Sequence, residues 1–541
     1  MKFKILVLSV IFISNIFSQN LDQPKLVVGI VIDQMRFEDL YRYYNYFDKD
    51  GFKKLLNYGA NFTYAHFNYE PTTTAPGHAS IFTGSVPYFH GIVANDFFDK
   101  KIQKVVNAVK DENYLSVGSD DEVGKCSPNR LQSSTISDQI KLSTNLQSKV
   151  ISISLKDRGA VLPGGQLANA AYWYNYKTGD FISSTYYMKS LPDWLVKFND
   201  RNLPQDYMQK GWNLLLKQEA YNSLYDLSQE NKTKIFKEDQ IKFPYDFKNL
   251  SNEELNNSFQ FTPYANQILV DLVKEIIINE NLGKDNIPDF ISISFSATDI
   301  IGHTWGNFSL ELMDTYIRLD RTIAELISFL NNIIGEKNYL LFLTSDHGAI
   351  QTPSVMKNIN AITGELNTKS FYDSLKSFAA NNFGSEKIIL NFSNRQIYLD
   401  RNFIKEHNLE FDNVMESFAN YLRDNFNAIH CIMTRKNLEK LIANRIPQST
   451  LLNGWNPSVS GDIIFNLKPG YLNNFMQSGT THSSAYSYDT HIPLIFYGWK
   501  IPAKEINNLV YVTDIAATIA NLLKINQPNA CIGIPLSIYW E

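Results

Sequence analysis

Near-continuous apolar runs that end in acidic residues constrain the fold of this chain more than any other feature. LVVGIVID runs from Leu26 to Asp33, PDFISISFSATD ends at Asp299, and NYLLFLTSDHG carries Asp346 and His347 near its end. A strand that is apolar throughout is covered on both faces, which is typical of parallel sheets between layers of helices. These runs therefore predict buried strands with polar side chains at their carboxyl ends.

Helical periodicity lies between these runs. Two apolar helix faces are formed by Ile268, Leu269, Leu272, Val273 and Ile276 and by Leu312, Tyr316, Leu319, Ile323 and Leu326. Strands that alternate with helices predict the α/β class, as a sandwich with a central, mostly parallel sheet, helices on both faces and inserted cap regions. Ligands in such sheets bind beyond the carboxyl ends of the strands, where the acidic residues fall.

The 541 residues suffice for one large core with substantial insertions. Residues from about 170 to 262 and from about 355 to 475 fit the alternation poorly, so we expect both to be insertions that cover the site. The predicted organisation is one catalytic domain over 24–541 with these two insertions. A strand end and a closing amphipathic helix are predicted within 510–525.

The N-terminus has the pattern of a secretory signal peptide. Lys2 and Lys4 precede an apolar run from Ile5 to Phe17, and the chain turns polar at Ser18. We therefore predict a signal peptide over 1–18 and a mature protein that is periplasmic or secreted. No later stretch reaches the roughly 18 apolar residues that a membrane helix needs, so no membrane span is expected in the mature chain.

Charge and cysteine content narrow the function further. Lys and Arg total 50 and Asp and Glu total 55, so the net charge is −5. A mildly acidic chain has no overall attraction for nucleic acid, and an anionic ligand must be drawn by a local cluster or a metal. Cys126, Cys431 and Cys531 show no CxxC spacing and predict small buried residues rather than a disulfide framework.

Acidic and imidazole side chains at or near the strand ends form a candidate metal-binding set. Its members are Asp33, Asp299 and His303 in D-x-x-x-H, Asp346 and His347 in SDHG, and His482 in GTTHSSAYSYD. Six oxygen and nitrogen ligands without a thiolate suit zinc or a similar divalent ion. Six are too many for one four-coordinate zinc, so the set predicts two metal sites that each keep a position for substrate or water.

A nucleophile candidate lies in the run PTTTAPGH, where Thr72, Thr73 and Thr74 precede a helix-like stretch of small residues. A threonine at the start of a helix faces free backbone N–H groups and the positive end of the helix dipole, which favour an anion. A hydroxyl is a poor nucleophile unless a metal activates it. A helix-capping threonine is the alternative, and local spacing does not choose among the three.

Lys156 and Arg158 form a candidate anion-binding pair. They follow the strand-like run KVISIS, and alternation along a strand would send both side chains to one face. Two cations there could grip one phosphoryl group, Arg through its planar fork and Lys as a point charge. The alternative is a solvated edge strand with Asp157 between them.

Taken together and in order, these motifs resemble the alkaline phosphatase superfamily, whose relatives include nucleotide pyrophosphatase/phosphodiesterases. Within this superfamily the chain resembles the secreted bacterial alkaline phosphatases of the PafA type, which have a threonine nucleophile, an asparagine and a lysine–arginine pair. The stretches that carry the resemblance cover roughly residues 26 to 500 and are IVIDQMR, PTTTAPGHASIFTGSVPYFHGIVAND, SLKDRGAVLPGG, SATDIIGHTWG, TSDHGA and GTTHSSAYSYDTHIPLIFYG.

The resemblance implies a role for each candidate residue. Thr74 would be the nucleophile, Asn95 would hydrogen-bond a phosphoryl oxygen, and Lys156 and Arg158 would contact the remaining oxygens. The implied ligand sets are Asp33, Asp346 and His347 for one zinc, which the Thr74 oxygen also binds, and Asp299, His303 and His482 for the other. Ser483 follows His482 where many relatives have glycine, so His491 is a rival for the last ligand position.

The implied function is hydrolysis of small-molecule phosphate monoesters through a phosphothreonine intermediate, with two Zn²⁺ per chain. The relatives also suggest a monomer with a broad substrate range. One alternative is a phosphodiesterase or nucleotide pyrophosphatase of the same superfamily, and another is a non-catalytic extracellular binding protein on the same fold. A sulfatase is disfavoured because no C-x-P-x-R motif surrounds any of the cysteines.

Overall fold

A computed structural model describes residues 22–222, 243–441, 450–473 and 479–538. The predicted signal peptide at 1–18 lies outside the described residues. None of the helices in the described ranges combines the length and the apolar composition that crossing a membrane requires.

The strands are β1 (Leu26–Ile32), β2 (Ala60–His66), β3 (Asp96–Asp99), β4 (Lys104–Asn107), β5 (Ser116–Val117), β6 (Val150–Ser154), β7 (Ala170–Tyr174), β8 (Phe181–Ser184), β9 (Asp289–Phe295), β10 (Tyr339–Thr344), β11 (Gly364–Leu366), β12 (Ile389–Ser393), β13 (Gln396–Leu399), β14 (Ile429–Thr434), β15 (Ile463–Leu467), β16 (Tyr471–Asn473), β17 (His491–Gly498), β18 (Lys504–Ile506) and β19 (Val510–Tyr511).

The helices are α1 (Phe37–Arg42), α2 (Phe52–Tyr58), α3 (Thr74–Thr83), α4 (Pro87–His90), α5 (Ile136–Ser143), α6 (Asp157–Gly164), α7 (Asp193–Asn199), α8 (Leu203–Met208), α9 (Gln218–Asn222), α10 (Asn252–Phe259), α11 (Tyr264–Asn279), α12 (Ala297–Trp305), α13 (Leu310–Ile333), α14 (Pro353–Asn358), α15 (Thr368–Phe383), α16 (Arg401–Glu406), α17 (Phe411–Asn425), α18 (Arg435–Leu438), α19 (Thr450–Asn453), α20 (Ser487–Thr490) and α21 (Asp514–Leu523).

The central sheet has eleven strands, and its hydrogen-bonded order is β18-β2-β17-β10-β1-β9-β6-β7-β8-β5, with β19 also paired to β2. Its middle is parallel, because β1 pairs in parallel with both β9 and β10, and β6 pairs in parallel with β9 and β7. β17 and β8 run antiparallel to their neighbours. The predicted α/β class with a mostly parallel sheet is confirmed.

Alternation along β1 explains why the sheet is covered on both faces. Val28 and Ile30 pack into one large hydrophobic core, and Val27 and Val31 pack into another on the opposite face. The two predicted helices lie in the first of these layers, as α11 and α13. The second core contains α21, which is the predicted closing helix, preceded by the short strand β19.

The second of the two expected insertions has a core of its own. Strands β12, β13, β15 and β14 form a separate four-stranded sheet. Helices α15 and α17 pack on it through Phe371, Leu375, Phe418 and Leu422, and Phe465 of β15 joins them. We call the unit formed by β12 to β15 with α15 to α17 the cap.

The first of the two expected insertions differs from the sequence interpretation. Its first two strands, β7 and β8, belong to the central sheet, so a boundary at 170 falls inside that sheet. Further along, Trp212 and Tyr221 donate hydrogen bonds to buried Asp314 of α13 and join the main core. Trp212 and Tyr221 are therefore part of the main helical layer.

The three cysteines form no disulfide with one another. Cys126 is buried, whereas Cys431 and Cys531 are partly buried. Burial raises the pKa of the Cys126 thiol, as does the nearby Asp157 carboxylate. Cys126 is therefore a structural residue in this fold.

Candidate active site

The candidate ligands lie where the strands of the parallel middle end. Asp33 follows β1 directly, and Asp346 and His347 follow β10 with one residue between. Asp299 and His303 lie four residues apart on α12, which begins just after β9. Residues at this spacing share one helix face, so both side chains point the same way. The structure therefore brings these residues to one edge of the sheet. Asp33 and Asp346 lie at strand ends, as the sequence predicts, whereas Asp299 lies on α12, four residues beyond the end of β9.

Carboxylate and imidazole atoms approach one another in two groups. In the first, ligand atoms of Asp33, Asp346 and His347 all lie within 4.8 Å of one another, and in the second those of Asp299, His347 and His482 do so. His347 Nε2 is 3.5 Å from Asp33 Oδ1, and its ring stacks on that of His482 with 3.6 Å between centroids.

His303 lies beside the second group rather than inside it. Its Nε2 is 3.1 Å from Asp299 Oδ1, and its ring centroid is 5.1 Å from that of His482. His482 Nε2 is 3.8 Å from the same Asp299 oxygen. The sequence-based ligand set of Asp299, His303 and His482 thus meets around one carboxylate, with His347 as an additional neighbour.

Burial and charge in this cluster fit a bound cation. Burial raises the pKa of Asp346 well above its usual range, and the nearby Asp33 carboxylate raises it further. Burial lowers the pKa of His347 to about 3, which keeps its ring in the neutral form that binds metals. Asp33 Oδ1, Asp346 Oδ2 and His347 Nε2 are buried without a hydrogen-bond partner among the described residues. Because buried polar atoms are normally paired, this donor set suits a metal ion.

Lys156 is the cation nearest to this cluster. Its ammonium donates hydrogen bonds to Asp33 Oδ2 at 2.6 Å and to Asp299 Oδ2 at 2.5 Å, so it contacts one carboxylate from each group. Although burial would raise it, the charges of His303 and Lys156 hold the pKa of Asp299 well below its usual range. Lys156 therefore offsets part of the negative charge between the two groups.

The strand argument for Lys156 and Arg158 is wrong in its geometry. β6 ends at Ser154, Lys156 is the N-cap of α6, and Arg158 is the second residue of that helix. Lys156 and Arg158 are therefore brought close together by the first turn of α6 and not by alternation along a strand. Arg158 is partly buried, and its Nε has no hydrogen-bond partner within the described residues.

Thr74 begins the helix that the sequence predicts. It is the first residue of α3 and only 2% exposed. The Asn95 side-chain oxygen accepts a hydrogen bond of 2.8 Å from the N–H of Ala75, the next residue, so Asn95 lies at the start of the same helix. Thr74 and Asn95 are therefore neighbours, as the resemblance implies.

Thr72 and Thr73 occupy different positions. The Thr72 hydroxyl donates to the carbonyl of Ser484, which makes it part of a loop contact. Thr73 is the N-cap residue of α3, and its side chain makes no capping hydrogen bond. The helix start thus lies at Thr74.

His78 lies on α3 and contacts both the start of this helix and the Asp346 carboxylate. One ring nitrogen lies 2.9 Å from the Thr74 carbonyl, and the other lies 2.8 Å from Ser294 Oγ. Its Nδ1 is also 3.4 Å from Asp346 Oδ2. These contacts make His78 a structural residue that packs against the start of α3.

The structure brings His482, and not its rival His491, to the carboxylates. His482 Nδ1 donates to the Thr72 carbonyl at 2.7 Å, which orients the ring with Nε2 toward Asp299. His491 instead stacks on His66, with 4.6 Å between centroids, and contacts the Thr63 carbonyl.

Sequence reasoning missed Gln34. Its side-chain amide donates to Asp299 Oδ1 at 2.7 Å, and its backbone N–H donates to Asp346 Oδ1 at 3.2 Å. Its φ of 66° lies in the left-handed region, which costs a residue with a side chain about 1–2 kcal/mol. Its place directly after Asp33 was the available signal, but a left-handed glutamine cannot be inferred from spacing.

Comparison with known proteins defines the class to which this fold and cluster belong. The model of the type I phosphodiesterase/nucleotide pyrophosphatase family matches residues 27–490. The chain therefore belongs to this family of the alkaline phosphatase superfamily.

Individual relatives cover nearly the whole chain. It is 39% identical to alkaline phosphatase PafA of Elizabethkingia meningoseptica over 95% of this chain and 94% of the relative. It is 39% identical to alkaline phosphatase PhoV of Synechococcus elongatus over 96% of this chain and 93% of the relative.

A solved structure of wild-type PafA superposes with a TM-score of 0.90 at 38% identity, covering 95% of this chain and 98% of PafA. A PafA variant with one threonine, one asparagine, one lysine and one arginine substituted has been solved as well, with the same TM-score and coverage.

Proposed function

We propose that this protein is a phosphate monoesterase with Thr74 as its nucleophile. The main support is structural: two clusters of carboxylate and imidazole side chains lie near the carboxyl ends of the parallel strands, next to a helix that starts at Thr74. The similarity to alkaline phosphatases PafA and PhoV supports the reaction class. The residue types substituted in the PafA variant are those of Thr74, Asn95, Lys156 and Arg158 here, which supports their assignment.

The proposed ions are two zinc ions. Asp33, Asp346 and His347 would hold one, and Asp299, His303 and His482 would hold the other. When bound, the ions would act as Lewis acids that activate a hydroxyl and neutralise charge on a phosphoryl group. Oxygen and nitrogen donors without thiolate suit zinc. Burial lowers the pKa of His347 and of His482, which keeps these two rings in the neutral form that binds metals.

We propose a two-step reaction in which Thr74 is the nucleophile and three other side chains bind the phosphoryl group. Thr74 Oγ1 would lose its proton to solvent and attack phosphorus. Its bond to phosphorus would form as the bond to the leaving oxygen breaks, the leaving oxygen would take up a proton from solvent, and a phosphothreonine would result. Water then attacks the same phosphorus and releases phosphate and free Thr74. Asn95, Lys156 and Arg158 would donate to the phosphoryl oxygens, because preorganised donors contribute most where charge develops.

A kinetic test separates Thr74 from its neighbour. We expect Thr74→Ala to lower p-nitrophenyl phosphate turnover by at least about a thousandfold while zinc content stays near that of the wild type. Thr73→Ala is the matched control, since that side chain makes no capping bond, and should stay active. Acid-quenched wild-type enzyme should carry one phosphoryl group on the peptide that contains Thr74. An active Thr74→Ala enzyme would refute the assignment.

Phosphodiester hydrolysis is the second candidate, because the matching family model describes phosphodiesterases. The metal ligands and nucleophile would be the same. The pair Lys156 and Arg158 favours monoesters, since a diester has a substituent in place of one charged oxygen. Comparing kcat/KM for p-nitrophenyl phosphate and its bis ester decides between the two.

We also propose that the protein acts in the periplasm or outside the cell. The basic start, the apolar run and the polar turn at Ser18 support export. The intact mass of protein recovered from the native host should lack the first residues, with cleavage near Ser18. A full-length mass in the cytosolic fraction would contradict export.

A further inference from the structure

An arginine of the cap contacts two loops of the active site at once. Arg395 lies in the two-residue turn between β12 and β13 and is 7% exposed. Its Nη1 is 3.2 Å from Glu70 Oε1, and its Nη2 donates to the Ser483 side chain at 2.8 Å and to the Ser483 carbonyl. One planar guanidinium therefore joins segments that are more than 400 residues apart in the chain.

Both contacted residues lie next to proposed catalytic machinery. Ser483 directly follows His482, a proposed zinc ligand, and Glu70 begins the segment that leads to Thr74. The two loops also contact each other, since His482 Nδ1 donates to the Thr72 carbonyl and the Thr72 hydroxyl donates to the Ser484 carbonyl. Arg395 therefore links the segment that begins at Glu70 to the segment that contains His482, and these two segments also contact each other directly.

The backbone at this contact is strained on both sides. Arg395 has a φ of 58° and Ser483 a φ of 103°, and both lie in the region that favours glycine. Left-handed residues other than glycine persist only where surrounding contacts hold them, and they cluster at functional sites. Asn394 and Arg395 both have positive φ, as a two-residue type I′ hairpin turn requires, so the turn holds the Arg395 backbone in this conformation.

We propose that Arg395 is a positioning residue through which the cap fixes the orientation of His482 and so the affinity of the second metal site. This inference rests on the proposed metal sites. Partners that orient a metal-binding histidine typically affect metal affinity by about 10- to 100-fold when removed. A residue that only neutralised buried Glu70 would affect stability and leave zinc affinity unchanged.

Zinc affinity and stoichiometry test the proposal without using activity. The proteins compared are full-length mature wild type, Arg395→Ala, Arg395→Lys and Arg401→Ala. Arg401→Ala is the matched control, because Arg401 pairs with Asp462 at 3.0 Å inside the cap and stacks on Phe411. Each is loaded with zinc and titrated with a competing chelator, and the melting temperature of the loaded protein is recorded.

We expect wild type and Arg401→Ala to hold two zinc ions alike. Arg395→Ala and Arg395→Lys should bind one of the two ions at least about tenfold more weakly, and excess zinc should restore turnover. The lysine variant keeps a buried cation beside Glu70 but lacks the planar fork, so it decides the matter if the alanine variant fails to fold.

Two results would overturn the inference. Folded Arg395 variants that retain both ions with wild-type affinity, or that lose both equally, overturn it while leaving the proposed function intact. Wild-type protein that binds no zinc would overturn the proposed metal sites and this inference with them.

Discussion

Gly77 allows α3, which starts at Thr74, to lie close to Asp346. It lies in the first turn of α3, where an added Cβ would be 2.3 Å from the Asp346 carbonyl oxygen and 2.8 Å from Asp346 Cβ. Glycine normally weakens a helix relative to alanine by about 1 kcal/mol. Here the absence of a side chain permits the close approach that brings Thr74 to the ligand cluster.

Gly77→Ala should therefore destabilise the protein, although alanine is the better helix former. Overpacking of this kind costs about 1–3 kcal/mol, and a shift of α3 on the order of 1 Å would lower kcat by about 100-fold. Denaturant unfolding and kinetics on p-nitrophenyl phosphate measure both. Gly384→Ala is the control, since Gly384 has positive φ but nothing within 4 Å of the added Cβ, and it should lose stability without losing kcat. Unchanged kcat in Gly77→Ala would contradict this account.

The ion pair of His303 with Asp299 should give the metal-free protein a distinct pH dependence. Burial would lower the pKa of His303, but the Asp299 charge outweighs it and raises the pKa above its usual range. A histidine whose pKa is higher in the folded than in the unfolded protein stabilises the fold. This stabilisation is complete below the pKa of the unfolded protein, about 6.5, and is lost as the pH rises through the pKa of the folded protein. Asp299, with its lowered pKa, contributes above about pH 4.

The advantage in melting temperature of metal-free wild type over metal-free His303→Gln should thus be larger at about pH 6, below the unfolded pKa, than at about pH 9, because the raised pKa of His303 makes this contribution fall as the pH rises. Exposed His407, which hydrogen-bonds within its own helix, supplies the control variant His407→Gln. A wild-type advantage that is the same at both pH values would argue against the pair.

The proposed catalytic residues lie at the starts of two helices. α3 presents Thr74, and α6 presents Lys156 and Arg158. Cations at a helix N-terminus are unfavourable by about 0.3–1 kcal/mol each, because they meet the positive end of the dipole. Lys156 is therefore not there to stabilise α6, and its contacts with Asp33 and Asp299 agree with a role in the site.

Lys156→Ala and Arg158→Ala should lower monoesterase kcat/KM by about 100- to 1000-fold each and reduce diester hydrolysis less, since a diester offers fewer charged oxygens. Rates on p-nitrophenyl phosphate and its bis ester give the ratio. Lys110→Ala is the matched control, because Lys110 lies 3.8 Å from Asp157 of the same helix without entering the ligand cluster. Equal losses on both substrates would count against monoester specificity.

The elements differ in how well the sequence predicts them. β1, β9 and β10 are predictable because their apolar runs are followed closely by the acidic residues proposed as ligands, and parallel strands bring their carboxyl ends to one edge of the sheet. The sequence predicts Lys156 and Arg158 on a strand because the apolar alternation of KVISIS continues up to the start of α6 and no residue marks the end of the strand. Arg395 had no signal at all, since its partners Glu70 and Ser483 come together only through the docked cap.

In the whole molecule, distant segments converge because the central sheet orders them. Proposed ligands from position 33 to position 482 meet where its parallel strands end, and the cap adds Arg395 from its own folded unit. The two described groups share His347, whereas the proposed ligand set assigns His303 to the second ion. Direct location of the ions resolves this difference.

Anomalous diffraction at the zinc absorption edge from crystals of the zinc-loaded protein tests the two-metal site most directly. The account predicts two peaks, one among Asp33, Asp346 and His347 and one among Asp299, His303 and His482, both next to the Thr74 hydroxyl. A single peak, peaks elsewhere such as at His66 and His491, or no peak in zinc-loaded protein would contradict it.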